Sequence, residues 1–151
     1  MRRCAVGILA AWLLTLSGCY GAAPEPESAF QPLPQPQAYD FLTVWECCLE
    51  ACEREGFSVA KSKRDGDTGE WITDHRETFK DAVARRDRSI RLHGRVAPAG
   101  AGSFTVTLAA SEFQRDEAGD WSYKGPDPEL RGRFERRLHE SLTRRYQGGP
   151  R

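Results

Sequence analysis

Two stretches of alternating residues, 90–96 and 104–110, limit what this chain can fold into more than any other feature. In both, apolar residues or glycine stand at every second position, with arginine and histidine between them in the first stretch and mainly threonine in the second. A period of two places the apolar side chains on one face of a strand and the polar ones on the other. Residues 98–102, Pro-Ala-Gly-Ala-Gly, predict a turn between the two stretches. The sequence therefore predicts two antiparallel strands with one dry face and one wet face.

An amphipathic helix is predicted on each side of these strands. Asp40 is a suitable N-cap for a helix over residues 41–55, and Gly56 stands where a left-handed residue would end it. Asp127 followed by Pro128 is a typical start of the second helix. The buried stripe of that helix is predicted to be Leu130, Phe134, Leu138 and Leu142.

The remaining segments complete a small sheet. Residues 57–61 and 70–75 have strand patterns, and 64–69 predict the turn between them. Residues 76–87 are polar and are interpreted as a long connection, and 119–123 are suited to a short edge strand. We predict an α+β fold, a single antiparallel sheet of about four strands in the order α-β-β-β-β-α, with both helices packed on one face. The residues expected at the centre of the core are Trp45, Phe104 and Phe134.

The N-terminal segment has the pattern of an export signal. Arg2 and Arg3 precede an apolar stretch over residues 5–16. That stretch is shorter than the roughly 20 residues that span a membrane, so it predicts a cleaved signal rather than a permanent helix.

The segment ends in Leu16-Ser17-Gly18-Cys19, and small residues directly before a cysteine resemble the lipobox of bacterial lipoproteins. The resemblance implies that residues 1–18 are removed, that Cys19 is diacylated on sulfur and acylated on its new amino group, and that several acyl chains hold the protein at a membrane. The alternative is an ordinary signal peptide cut near Ala22 or Ala23, with Cys19 discarded.

The residue after the anchor cysteine is Tyr20. In lipoproteins of enteric bacteria an aspartate there retains the protein in the inner membrane, so the resemblance implies an outer-membrane anchor facing the periplasm. Five prolines follow within residues 20–38, which favours an extended polyproline spacer; a ligand for a proline-recognising partner is the alternative. We therefore predict a lipidated spacer over 19–38, a globular domain over 39–146 and a disordered tail over 147–151.

Charge and motifs exclude several classes of function. Loss of residues 1–18 takes two arginines with it and leaves 20 basic against 22 acidic residues, so no global field attracts nucleic acid. The sequence has no G-x-S-x-G motif, P-loop or dinucleotide fingerprint. His75, His93 and His139 lack metal-ligand spacing and are interpreted as surface residues, with His93 directed to solvent. We predict no catalytic residue, no cofactor and no metal site.

Cysteines 47, 48 and 52 lie on the first predicted helix. Cys48 and Cys52 share the apolar face, and β-carbons four residues apart on a helix are roughly 5–6 Å apart, too far for a disulfide. Core packing is the favoured interpretation, while an intermolecular or redox role and metal binding are the alternatives. Cys47 lies off that face and is predicted to be the most reactive of the three.

The last helix is basic. Arg133, Arg137 and Arg144 share one flank. This flank is suited to anionic lipid or an acidic partner; a solvated face with Glu140 interleaved is the favoured alternative.

The chain has an aromatic-bearing helix followed by Gly-Phe-x-Val, a glycine-containing turn and x-Ile-Thr. This order of motifs resembles the helix-grip modules of lipoprotein C of the outer-membrane β-barrel assembly machinery. The matching residues are Trp45, Gly56, Phe57, Val59, Gly69, Ile72 and Thr73. The resemblance implies a helix packed on a curved sheet and a role in the cell envelope. We predict a non-enzymatic module in envelope assembly or maintenance that contacts an envelope protein. The alternative is a carrier of a hydrophobic small molecule or lipid between helix and sheet.

Overall fold

The computed structural model describes residues 24–34, 37–78 and 88–147. The signal peptide, Cys19, most of the connection over 76–87 and the tail beyond Gln147 lie outside these residues. The helices are α1 (Phe41–Arg54) and α2 (Pro128–Gln147). The strands are β1 (Gln31–Pro32), β2 (Val59–Asp65), β3 (Thr68–Thr73), β4 (Arg76–Glu77), β5 (Arg88–Gly100), β6 (Ser103–Arg115) and β7 (Trp121–Pro126). The predicted α+β class is confirmed.

The sheet has seven strands in the described residues instead of about four. Five of them lie side by side in the order β1-β6-β5-β3-β2, while β4 also pairs with β5 and β7 with β6, all antiparallel. The additional strands β1 and β4 are two residues long each, too short to produce an alternating pattern in the sequence. The predicted edge strand appears as β7. The two alternating stretches form the long β5–β6 hairpin at the centre, as the sequence predicts.

Both helices begin and end as their local sequences indicate. The side chain of Asp40 accepts a hydrogen bond from the Thr43 amide at 3.0 Å, and that of Asp127 accepts one from the Leu130 amide at 2.8 Å. Gly56 has a φ of +78°, the left-handed conformation expected directly after α1. These contacts are local in sequence, which is why the pattern alone predicts them.

The helices cover one face of the sheet, which we call the helix face. Its centre is Trp71, whose ring lies 5.9 Å from that of Trp45 on α1 and 6.1 Å from that of Phe134 on α2. The predicted core residues Trp45, Phe104 and Phe134 all belong to this cluster. Trp71 reaches across to Gly94 on β5, where an added β-carbon would lie 2.0 Å from the indole ring. The glycine therefore makes room for the largest side chain of the core.

The opposite face of the sheet is covered as well, which corrects the prediction of a wet face and of a free spacer. Residues 24–34, here called the strap, lie against the sheet, and we call the surface beneath them the strap face. The strap contributes β1, and the Leu33 amide donates to the Val106 carbonyl at 2.8 Å. Ala29 and Leu33 are buried. Prolines leave a segment unable to fold on itself, but an extended segment with apolar residues can still pair with an exposed strand.

Candidate functional site: the strap face of the sheet

A buried ion pair fastens the strap to the centre of the sheet. The carboxylate of Glu25 accepts hydrogen bonds from Arg91 on β5, with Nε at 2.9 Å and Nη2 at 2.6 Å, in a bidentate arrangement. The Glu25 side chain is only 1% exposed. Burial by itself would raise the pKa of Glu25, but hydrogen bonds from His93 and Arg91 outweigh it and lower the pKa to about 2. The carboxylate is therefore ionised at any physiological pH.

His93 links this pair to β3. Its Nδ1 lies 3.3 Å from the Glu25 carboxylate, and its Nε2 lies 2.8 Å from the carboxylate of Glu70. Arg95 completes the link, because its Nε contacts Glu70 at 3.0 Å and its Nη1 contacts Glu27 on the strap at 2.7 Å. The prediction that His93 points into solvent is wrong: its side chain does leave the helix face, but the strap covers the surface that it reaches.

His75 extends the cluster toward the other end of β5. Its Nε2 lies 3.2 Å from Arg91 Nη1 and its Nδ1 lies 2.8 Å from the Ser89 hydroxyl. Burial and the nearby charge of Arg91 together lower the pKa of His75 to about 4, so the ring is neutral at neutral pH. Since Arg91 can only donate, Nε2 is the acceptor, and Nδ1–H donates to Ser89. A serine nucleophile needs the opposite arrangement, an imidazole that accepts its proton, and Ser89 is also fully buried.

Aromatic rings flank the charged groups. The Arg91 guanidinium lies 4.6 Å from the centre of the Phe113 ring, and that of Arg95 lies 3.8 Å from the Phe30 ring on the strap. The His75 ring stacks on Trp121 at 5.2 Å. Each of the two arginines thus contacts an aromatic ring as well as a carboxylate.

The sequence pattern does not single out Glu25 or Arg91 as site residues. It does predict Arg91 on the polar side of β5, and the signal that this side is covered is Phe113, an apolar residue on the same face of β6. Its contact with Glu25, 66 residues away in sequence, has no local signature. Of the three histidines, His75 and His93 join the cluster, whereas His139 is exposed on α2. Within the described ranges, no group of three or more histidine, cysteine or acidic side chains is arranged to hold a metal ion.

An open groove of about 610 Å³ lies beside the cluster, over β2 and β3. Its lining includes the charged residues Lys61, Lys63 and Glu70 together with Ile72 and His93. The groove is continuous with the charged cluster, because Glu70 and His93 belong to both.

The three cysteines of α1 are free and buried. Core packing is thus confirmed for Cys48 and Cys52, and Cys47, which the sequence places off the packed face, is buried as well. The prediction that Cys47 is the most reactive of the three stays a prediction. Burial raises the pKa of Cys47, although nearby Arg145 opposes this, and raises that of Cys52 to about 12. The reason is that α2 packs alongside α1, so α1 is covered by the sheet on one side and by α2 on the next.

The basic flank of α2 forms ion pairs with acidic residues of α1. Arg133 and Arg137 both contact Glu55 at the end of α1, at 3.0 and 3.1 Å, and Arg144 contacts Glu50 at 2.8 Å. These ion pairs join the two helices. The flank still faces solvent in part, with the Arg144 side chain 59% exposed, and Arg137 pairs with Glu140 at 3.2 Å, as the interpretation of a solvated face with Glu140 interleaved predicts.

No protein-family model matches the chain, and no similar curated protein is found. None of the helices in the described ranges has the length and apolar character needed to cross a bilayer.

Proposed function

We propose that this protein is a lipid-anchored extracytoplasmic lipoprotein, held at the outer membrane through Cys19 and facing the periplasm, whose domain acts by contact with an envelope protein. The observation that carries this proposal is the docked strap. It gives the N-terminal lead a specific place on the domain, with Glu25 as its fastening point. A lead that merely separated a domain from a membrane would need no such contact.

The strap also sets the distance from the membrane. Five residue steps separate Cys19 from Pro24, and an extended chain covers at most about 18 Å over that length. A free lead from Cys19 to Tyr39 would reach at most about 70 Å. With the strap docked, the strap face therefore lies close to the lipid anchor, and its groove is offered to partners near the membrane surface.

Contact is favoured over catalysis because the polar groups of the strap face are committed to one another. Glu25, Arg91, His93 and His75 are linked to one another by hydrogen bonds, and the two hydroxyls beside them, those of Ser89 and Ser111, belong to fully buried residues. Contact is also favoured over a lipid carrier, because aromatic rings fill the space between helices and sheet. The successive ring pairs are Phe41–Trp45 at 6.0 Å, Trp45–Trp71 at 5.9 Å and Trp71–Phe134 at 6.1 Å.

Replacement of the anchor tests the first half of the proposal. Cys19→Ser should move the protein from the membrane to the soluble periplasmic fraction, because the acyl chains are lost. Cys47→Ser is the matched control and should remain membrane-bound, since Cys47 is buried in α1. A Cys19→Ser protein that fractionates with membranes as completely as the unsubstituted chain would refute the anchor.

Photo-crosslinking in cells tests the second half. A photoreactive residue at Lys61, on the groove, should yield a discrete adduct with an envelope protein. The same residue at Tyr146, exposed on the helix side of the molecule, should not. Equal adducts from both positions would contradict a contact role for the strap face.

A further inference from the structure

Among the described residues, the sheet ends in β1 and β7 at one edge and in β2 at the other, and each of these strands pairs with a single neighbour. The β2 edge differs in charge, because β2 carries three basic side chains and β7 carries only Lys124. The outer side of β6 is occupied along its length, by the strap and Gln37 in its first half and by β7 in its second. At the opposite edge, β2 pairs with β3 and with no other strand among the described residues. Half of the backbone hydrogen-bonding groups of β2 therefore face outward, as they do on any edge strand.

This edge also carries charges that the fold does not neutralise. In the described part of the chain, the side chains of Lys61, Lys63 and Arg64 take part in no ion pair or hydrogen bond, unlike those of Arg91, Arg95, Arg133 and Arg144. Lys63 lies directly opposite Glu70 in the β2–β3 register, but the Glu70 carboxylate is turned toward His93 and Arg95. The buried cluster thus takes the acid that would otherwise pair with the edge lysine.

The spacing of Lys61 and Lys63 equals the distance between alternate residues of an extended segment. They lie on the same face of β2, two residues apart, which corresponds to about 6.7 Å along a strand. Acidic residues at alternate positions of an added strand would lie opposite them. The groove that begins at this edge continues over Ile72 to His93 on the same face as the two lysines, so the acidic side chains of such a segment would lie along it.

The lysines favour an acidic strand over a second copy of this chain. In an antiparallel pair of two β2 strands centred on Ser62, Lys61 of each copy would lie opposite Lys63 of the other, and like charges directly across a strand pair are destabilising. The registers that bring one lysine opposite Asp65 of the other copy leave the other lysine opposite a lysine or without a partner in β2. An acidic strand can pair with both lysines at once.

From these observations we infer that the free edge of β2, with the groove beside it, docks an extended acidic segment of a partner protein, which joins the sheet as an additional strand next to β2. Backbone pairing supplies the contact, and Lys61 and Lys63 select acidic residues at alternate positions. The inference rests on the proposed contact role but not on the lipid anchor, so a failed anchor would leave it intact.

The probe for this site is the peptide acetyl-Val-Glu-Val-Glu-Val-Glu-amide, titrated into the full chain in detergent micelles and followed by amide NMR. We expect saturable shifts of the backbone amides of β2. The variant Lys61→Glu/Lys63→Glu should weaken binding about tenfold or more. The matched control is Lys124→Glu/Arg136→Glu, which reverses two other exposed and unpaired charges of the described chain and should leave the affinity unchanged.

Two further probes separate strand pairing from simple charge attraction. A peptide of the same charge with alternate amides N-methylated cannot pair along the edge and should not bind, and a peptide with lysine in place of glutamate should not bind either. These probes use the unsubstituted chain, so the test holds even if a charge-reversed variant fails to fold. Equal binding of the N-methylated peptide, shifts confined to other strands, or no saturable binding would overturn the proposal. So would phosphatidylglycerol vesicles that shift the same amides and displace the peptide, since the edge would then be a lipid contact.

Discussion

The two faces of the sheet are built from the same strands but are stabilised differently, one by apolar packing and the other by a buried ion pair. On the helix face, Leu92 of β5 and Leu108 of β6 pack with aromatic rings from both helices. On the strap face, their neighbour Arg91 is buried in an ion pair with Glu25. The comparison teaches that the polar side of an alternating strand is not necessarily the solvated side. A charged side chain can be buried when a segment from elsewhere in the chain brings the opposite charge.

The largest effect is expected on the helix face. Phe134→Ala should lower the free energy of unfolding by about 3–5 kcal/mol, because it empties a fully buried position stacked against Trp71. Tyr146→Ala on the same helix is the control and should cost less than about 0.5 kcal/mol, since that side chain is 76% exposed. Denaturant unfolding measures both. Similar costs for the two substitutions would mean that α2 does not depend on its apolar stripe.

On the strap face, removal of one charged side chain should lower the free energy of unfolding almost as much. Glu25→Ala leaves Arg91 buried without its carboxylate and should cost about 3 kcal/mol. Hydrogen exchange of the Leu33 amide should also accelerate, because the strap is released. Glu27→Ala removes an exposed ion pair of the same strap and should cost less than about 1 kcal/mol.

The double variant Glu25→Ala/Arg91→Met sharpens that result. It should be more stable than Glu25→Ala alone, because no unpaired charge is then buried. If the double variant is the less stable of the two, Arg91 contributes through its contact with Phe113 more than through its charge.

Gly94 on β5 tests how closely the core is packed around the Trp71 ring. Gly94→Ala places a methyl group where the Trp71 ring lies and should cost about 1–3 kcal/mol or more in denaturant unfolding. Gly125→Ala on β7 has no heavy atom within 4 Å of the new methyl group and should be tolerated. A neutral Gly94→Ala would show that Trp71 can move away from β5.

Acidification should weaken the strap face in two steps. The pKa of His75 is lowered in the fold to about 4 from 6.5, so the unfolded chain takes up protons first and stability falls as the pH drops from 6.5 toward 4. The depressed pKa of Glu25 adds a second loss between pH 4.5 and about 2. His75→Phe should abolish the first loss and keep the second, as measured by denaturant unfolding across this range. An unchanged pH profile for that variant would assign the first loss to another group.

The smallest effect is expected for alkylation of the α1 cysteines in the folded protein. Cys47, Cys48 and Cys52 should all resist alkylation in the native protein and react after unfolding, because each is buried and has a raised pKa. Leu42→Cys places a thiol at a 50% exposed position of the same helix and should react at once. Rapid native labelling of Cys47 by mass spectrometry would show that the α1–α2 interface opens readily.

Several features of this protein depend on short stretches of sequence and were predictable for that reason. The caps at Asp40 and Asp127 and the left-handed Gly56 involve residues no more than four apart. The hairpin of β5 and β6 follows from a period of two and a glycine-rich turn. The stripe centred on Phe134 follows from the helical period. In each case the chemistry that decides the structure lies within one turn or one strand pair.

Tertiary structure alone decided the strap face, the helix–helix ion pairs and the free edge. Glu25 and Arg91 are 66 residues apart, Arg144 and Glu50 are 94 apart, and no local pattern records such contacts. Burial of a charge or a thiol depends on what the rest of the chain places over it, so the positions of His93 and Cys47 could not be inferred from their own helix or strand. A strand's pattern determines which way each side chain points. Whether water, a helix or a strap meets it there depends on the packing of the whole chain.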